Sequence, residues 1–247
     1  MNTSAELSHE ATLRWVSCAA SDVGHMRKAN EDSFMDAREQ GLWVVADGMG
    51  GHSRGDLASQ TVIKHLITFE RSASAEDSIT DLRTRIARAN HDCRRLARGE
   101  VMGSTVVALC NQGPMCYFLW AGDSRVYRLR NDKLEQITED HSLVQELCKL
   151  GEITEEEAES HPSSNVITRA VGVQDEVKVD VLESPVKPGD RFLVCSDGLF
   201  RDVVADEVRT QLANPTPQQA LRDLVQQALD RGGSDNVTAI VVQASHS

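Results

Sequence analysis

Two apolar runs in this chain end in the same way. Leu42 to Gly55 reads LWVVADGMGGHSRG, an apolar run that closes on an aspartate and breaks into three glycines within four residues. Arg191 to Leu199, RFLVCSDGL, closes on Asp197-Gly198. Asp-Gly commonly forms a hairpin turn, but a hairpin needs a second strand directly after it. Here Asp56 to Phe69, DLASQTVIKHLITF, follows with apolar residues at helical spacing, and the helix-like Val203 to Leu212 follows the second pair. Both stretches therefore predict strand, loop, helix. Two further acids lie beside strands, Asp123 after YFLWAG and Asp235 in GGSDNVTAIVV. A carboxylate at the end of a core strand loses hydration at a cost of several kcal/mol unless something positive meets it. Four such acids call for a counterion.

A length of 247 residues with 40% hydrophobic content can bury a good core. With no proline- or glycine-rich linker to divide it, the whole of 1–247 is expected to form one domain. Acids outnumber Lys and Arg by 38 to 26, and the net charge of −12 argues against nucleic acid or an anionic membrane as partner. The opening MNTSAELSHEATLRW has no apolar signal core, and no run of about 18 apolar residues occurs, so a cytoplasmic, membrane-free protein is expected. The six cysteines include no Cys-x-x-Cys pair and fall mostly in apolar segments, as reduced structural thiols do. The histidines lack zinc-site spacing. Any bound metal is expected on oxygen ligands.

Apolar patterning predicts strands near Trp15–Ala20, Leu42–Ala46, Thr105–Cys110, Cys116–Ala121, Arg125–Arg130, Val177–Leu182, Arg191–Cys195 and Val237–Val242. Asn111-Gln112-Gly113 and Asn131-Asp132 read as hairpin turns, so much of the sheet should be antiparallel. Helices are expected at Leu57–Glu70, Ile79–Ala97, Ser142–Leu150, Val203–Leu212 and Pro217–Arg231, the last opened by a threonine cap and a first-turn proline. They cluster in two pairs rather than alternating with strands, which favours α+β layers over a doubly wound sheet.

The glycine loop fails the common nucleotide patterns at their critical residues. A dinucleotide fingerprint needs glycine where Ser53 stands, and a Walker loop needs lysine where Asp56 stands. What remains is a backbone able to come close to something bound at Asp47, with the Gly48 carbonyl as a hard oxygen donor. Acids, carbonyls and water suit Mg²⁺ or Mn²⁺.

The stretches SDVGHMRKANEDS, VVADGMGGHSRGDLAS, GSTVVA, AGDSRVYRLR, ITEDHS, ITRAVG, FLVCSDGL and GGSDNVTAIVV resemble, in order, the motifs of the metal-dependent serine/threonine phosphatases. This is the protein phosphatase 2C or PPM family, in its compact bacterial form, and the resemblance covers about Ser21 to Val242. It implies a β-sandwich of two mostly antiparallel sheets flanked by helix pairs, with metals in a cleft at one end. By this resemblance Asp47 matches the acid that bridges two Mn²⁺ or Mg²⁺ ions. Asp197 and Asp235 match further ligands of the first ion, and the Gly48 carbonyl a ligand of the second. Glu31 and Asp32 match acids that hold the second ion or a metal-bound water, Glu31 being expected as a ligand and Asp32 in the catalytic set with Arg27 and Asp47. Asp123 matches a ligand of a third, weaker ion that would share Asp197. Arg27 matches the arginine that clamps phosphate, for which a planar guanidinium fork suits two oxygens better than lysine.

The resemblance implies hydrolysis of phosphoserine and phosphothreonine in proteins, by a monomer that opposes a Ser/Thr kinase. The alternative is a non-catalytic phospho-signalling module of the same fold. Eukaryotic members often carry histidine where this chain has Met49, so the general acid stays open between His52 and a metal-bound water. Residues 140–165 resemble the flap beside the active site; within them, the acidic Glu152 to Ser160 reads as a solvated helical face.

Overall fold

The structure, a computed structural model, describes residues 13–50 and 54–246. In chain order it runs β1 (Leu13–Asp22), β2 (Asp32–Ala37), β3 (Leu42–Gly50), α1 (Gly55–Leu66), α2 (Ala75–Ala97), β4 (Met102–Ser104), β5 (Val106–Gln112), β6 (Met115–Ala121) and β7 (Arg125–Arg130). There follow β8 (Lys133–Gln136), α3 (Leu143–Leu150), α4 (Glu155–Glu159), β9 (Asp180–Pro185), β10 (Arg191–Cys195), α5 (Asp197–Phe200), α6 (Ala205–Leu212), α7 (Pro217–Asp230) and β11 (Val237–His246). One sheet is ordered β1-β11-β10-β7-β8, the other β2-β3-β5-β6-β9 with β4 paired to the end of β3. Neighbouring strands are antiparallel.

The two-residue period of a strand explains the layers. Along β3, Leu42, Val44 and Ala46 face α1 and α2, whereas Trp43 and Val45 face the opposite sheet. Along β10, Phe192 and Val194 point between the sheets while Leu193 and Cys195 meet the helices of the other side. Because both faces of these strands are covered, their sequences are apolar without alternation. Helix α2 lays Leu82, Ile86, Ala89, Cys93 and Ala97 on one sheet. Helices α6 and α7 lay Val208, Leu212, Leu221 and Leu224 on the other. Each fully buried leucine or valine contributes about 1.5–3 kcal/mol. The result is the expected α+β sandwich with helices outside both sheets. All six cysteines are free thiols, and among the described residues no helix is long and apolar enough to cross a membrane.

Several boundaries differ from the sequence expectations. Helix α2 begins at Ala75, four residues before the expected start, because Ser74 caps it by accepting from the Asp77 amide at 3.3 Å. The expected strand Val177–Leu182 is instead β9, Asp180–Pro185. Val177 and Val179 pack against the helix-side core from irregular chain, and the ladder to β6 starts only at the Trp120–Asp180 pair. The Asn131-Asp132 turn holds, with both residues at positive φ (50° and 62°) as a two-residue hairpin requires. The other hairpin turns later than expected, at Gly113-Pro114 between β5 and β6, and Asn111 braces it by donating to the Gly113 and Met115 carbonyls.

One buried polar side chain links the helix layer to the strand ends. Asn90 of α2, 2% exposed, donates to the carbonyls of Gln174 and Asp175 and accepts from the Gly172 amide at 2.7 Å. That holds the ITRAVG turn, whose Val171 exchanges two backbone hydrogen bonds with Ser104. Removing the side chain orphans the buried Gly172 amide and releases two carbonyls of an exposed loop, so Asn90→Ala is expected to lower unfolding free energy by about 1–2 kcal/mol. Urea denaturation measures it; a loss below about 0.5 kcal/mol would show that the clamp contributes nothing.

Candidate metal centre

Antiparallel pairing gathers the acids at one end of the sandwich. Asp32 opens β2 directly opposite Asp47 near the end of β3. Asp197 opens α5 two residues after the end of β10, Asp123 lies in the turn from β6 to β7, and Asp235 stands just before β11. The carboxylates of Asp32, Asp197, Asp123 and Asp235 all bear electrostatically on Asp47. These five therefore form one cluster, with Glu31 at its margin.

Two Asp-Gly pairs are possible only because the second residue has no side chain. A Cβ on Gly48 would stand 2.0 Å from the Gly55 carbonyl oxygen, and one on Gly198 would stand 2.0 Å from the Asn236 carbonyl oxygen. The chain is drawn this close because neighbouring polar groups fix it. Asp47 donates its amide to Thr105 Oγ1 at 3.0 Å, and its carbonyl accepts from the Thr105 amide. The same hydroxyl lies 2.7 Å from Ser124 Oγ, next to Asp123. Ser196 donates its hydroxyl to Asp32 Oδ2 at 2.8 Å. Asn236 donates to the Val23 and Ala29 carbonyls and accepts from the Glu31 amide, pinning the loop that carries Arg27. The Glu31 carboxylate receives the Gly55 amide at the start of α1, where the helix dipole favours negative charge.

The electrostatics are those of acids short of positive charge. Burial pushes the Asp32 carboxyl up to about 6 and Asp123 up to about 7. Asp47 and Asp197 are also raised by burial, Asp47 further by the surrounding carboxylates and Asp197 by Asp235, while Arg201 opposes the rise at Asp197. Asp47 still shows part of its surface to solvent, so it is recessed rather than sealed. Buried oxygens of Asp32, Asp123 and Asp197, each Oδ1, have no hydrogen-bond donor. A buried unsatisfied carboxylate oxygen is costly, and an all-oxygen donor set around such atoms fits Mg²⁺ or Mn²⁺. Two arginines supply partial compensation. Arg201 pairs with Asp197 Oδ2 and stands 3.6 Å from Asp235 Oδ2, to which Arg27 donates at 2.7 Å. The acids do not stand as a closed ligand group among the described residues. Full ligation would require the arginines to let go.

All the residues singled out from the sequence lie at or beside this cluster except His52, which falls outside the described residues. The Met49 side chain packs against Gly103, and its thioether has no proton to give. The 140–165 segment forms α3 and α4, its two ends joined by the Ser142–Ile167 bridge and by the Leu143 amide donating to the Val166 carbonyl. At its root Arg125 donates to both oxygens of Asp140, at distances from 2.6 to 3.1 Å, and stacks on Phe200. A cleft of about 1100 Å³ opens between this segment and α6, reaching Asp123 and Asp197 at its inner end. Sequence reasoning missed Thr105, Ser196 and Asn236, although each stands inside or beside a quoted motif. It also missed Arg201, whose only signal is its position four residues after Asp197.

Comparison with known proteins follows the same geometry. The family model for Protein phosphatase 2C matches residues 25–239. The chain is 37% identical over 234 residues to the serine/threonine phosphatase stp of Listeria innocua, covering 90% of this chain and 93% of that protein. The structure superposes with TM-score 0.87 on PppA, described as a key regulatory component of T6SS in Pseudomonas aeruginosa, at 45% identity over 93% of this chain and 97% of that one. It also superposes with TM-score 0.82 on the catalytic domain of the serine/threonine phosphatase PstP in complex with two manganese ions, at 35% identity over 95% of this chain and 100% of that one. A match that runs from the Arg27 loop to the β11 core, with relatives alike in sequence and fold, places the chain in the protein phosphatase 2C family, beside its bacterial serine/threonine phosphatases.

Proposed function

We propose that this chain, as one phosphatase domain with a flap, hydrolyses phosphoserine and phosphothreonine in proteins with the help of Mn²⁺ or Mg²⁺. It acts as a cytoplasmic monomer on the products of a Ser/Thr kinase. The observation that carries this reading is the largely buried cluster of Asp32, Asp47, Asp123, Asp197 and Asp235, in which three carboxylates each keep an oxygen without a donor, beside an exposed arginine. The manganese complex of PstP supports the choice of metal. A non-catalytic module of this fold is disfavoured because none of these acids is replaced.

Bound by Asp47, Asp197, Asp235 and the Gly48 carbonyl, a pair of divalent cations would supply an activated water and offset charge on the phosphoryl oxygens. Glu31 would stand with the second ion, and Asp123 with a third. The protein's own groups do the rest. Ser196 fixes one oxygen of Asp32 and leaves the other free to accept a proton from attacking water. Arg27, half exposed on a loop held by Asn236, offers two parallel N–H groups to a phosphate. The similarity to PppA directs the search for substrates toward secretion-system phosphoproteins.

Turnover of an aryl phosphate is expected to require added Mn²⁺ or Mg²⁺ and to vanish in EDTA. A second readout is stability. Carboxyls with raised folded-state pKa values favour the fold fully below about pH 4, and that contribution is lost as pH rises through about 6–7. Chelated protein should therefore melt at lower temperature at pH 8 than at pH 5, and Mn²⁺ should raise the melting temperature more at pH 8. Full turnover by metal-free protein, or no effect of Mn²⁺ on melting, would reject the metal reading.

Asp47→Asn is expected to lower kcat by about 10²-fold or more, since it removes one of the charges that would hold the cations. Near-normal turnover would remove Asp47 from the centre. Arg27→Ala should lower kcat/KM by roughly 10- to 100-fold, mainly through KM, with Arg27→Lys recovering only part. Unchanged kinetics with a lower melting temperature would make Arg27 a structural ion-pair partner.

A further inference from the structure

Arg201 has no partner of its own. Among the described residues its guanidinium pairs only with Asp197 and Asp235, both of them acids of the candidate metal centre. The neighbouring Arg125 differs in this respect. It is committed to both oxygens of Asp140, to the Tyr127 hydroxyl and to the Phe200 ring 3.7 Å away. Arg201 closes the single turn α5, four residues after Asp197, with its side chain 30% exposed and lining the cleft that reaches Asp123 and Asp197. An arginine whose only acidic partners are candidate cation ligands competes with cations for the same carboxylates.

Where it goes is constrained by a second fact. Arg27 and Arg201 come from opposite ends of the chain, yet both reach Asp235 Oδ2, at 2.7 Å and 3.6 Å. Two guanidinium groups thus converge on the position of one oxygen anion. The short α5 tether keeps Arg201 in the cleft when Asp197 is taken. A phosphate monoester carries more terminal oxygens than one guanidinium fork can engage, and fork geometry favours arginine for the remainder.

We infer that Arg201 is a second substrate-binding arginine, gripping the phosphoryl group together with Arg27 once the acids of the centre are ligated. The inference rests on the phosphatase reading and adds a residue to it.

Steady-state hydrolysis of a phosphothreonine peptide with saturating Mn²⁺, and its inhibition by inorganic phosphate, test this. Arg201→Ala and Arg201→Gln are each expected to raise KM and the phosphate Ki by roughly 10-fold while kcat changes less, and Arg201→Lys to restore part of both. Calorimetry of the chelated protein should show Mn²⁺ binding as tight or tighter in Arg201→Ala, since a competing cation is gone. Unchanged KM and phosphate Ki in folded Arg201→Gln, whatever the change in Mn²⁺ affinity, would overturn the inference and leave Arg201 a counterion only. A wild-type protein with no Mn²⁺-dependent turnover would overturn the phosphatase reading instead.

Discussion

Mutual repulsion among carboxylates is the constraint on which the rest of the structure depends. Two sheets laid face to face bring Asp47 and Asp32 from one into contact with Asp197 and Asp235 from the other, with Asp123 from the turn between them. No local feature would hold five acids so close. The free energy comes from the apolar layers above and below, where Trp43, Val45, Phe118, Phe192, Val194 and Ile240 are fully or almost fully buried. The sandwich is thus strained at one end by charge and stabilised everywhere else by burial.

The surroundings of the acids reduce freedom more than they reduce charge. The Thr105 hydroxyl touches both the Asp47 amide and Ser124, so one side chain sets two acid-bearing segments relative to each other. Ser196, beside Asp197 in the chain, bonds Asp32 from the other sheet. Such cross-sheet bonds restrict how far the acid-bearing segments can shift relative to one another. The arginines behave differently. Arg27 is half exposed and Arg201 partly so, and both side chains are long enough to change partner without disturbing the sheets.

Legibility in the sequence followed burial. Asp47 and Asp197 could be read directly, since a continuous apolar run ending in Asp-Gly is rare and both faces of β3 and β10 are covered. The layered architecture and the Asn131-Asp132 turn were legible for similar local reasons. Strand β2 was not, because DSFMDA mixes a buried acid, an exposed Phe34 and a buried Met35 on a sheet edge, with no clean alternation. The strand expected at Val177 was displaced because apolar residues in a loop can be buried without joining a ladder. Arg27, Glu31 and Asp32 were assigned by resemblance, since nothing in periodicity marks a lone charge as functional, whereas Asp123 and Asp235 stood out by their places beside strands. Asn90 and Arg201 escaped altogether. A polar residue in an amphipathic helix and a cation after a strand end look like ordinary surface until the partners, 84 and 34 residues away in sequence for Gln174 and Asp235, are folded against them.

The pairing of β1 with β11 has a consequence for how the protein is made. All ten residues of β1, Leu13–Asp22, lie opposite β11, and β11 also borders β10. Of the eleven strands among the described residues, the one placed between β1 and β10 is therefore the last to be made. Until it is inserted, the earlier strand waits without its neighbour and Asp235 has not reached the other acids. A nascent chain holding Asp32, Asp47, Asp123 and Asp197 still lacks the segment that completes the centre. The acids are thereby brought together only once β11 has been made and inserted, which is a non-local pairing across most of the chain.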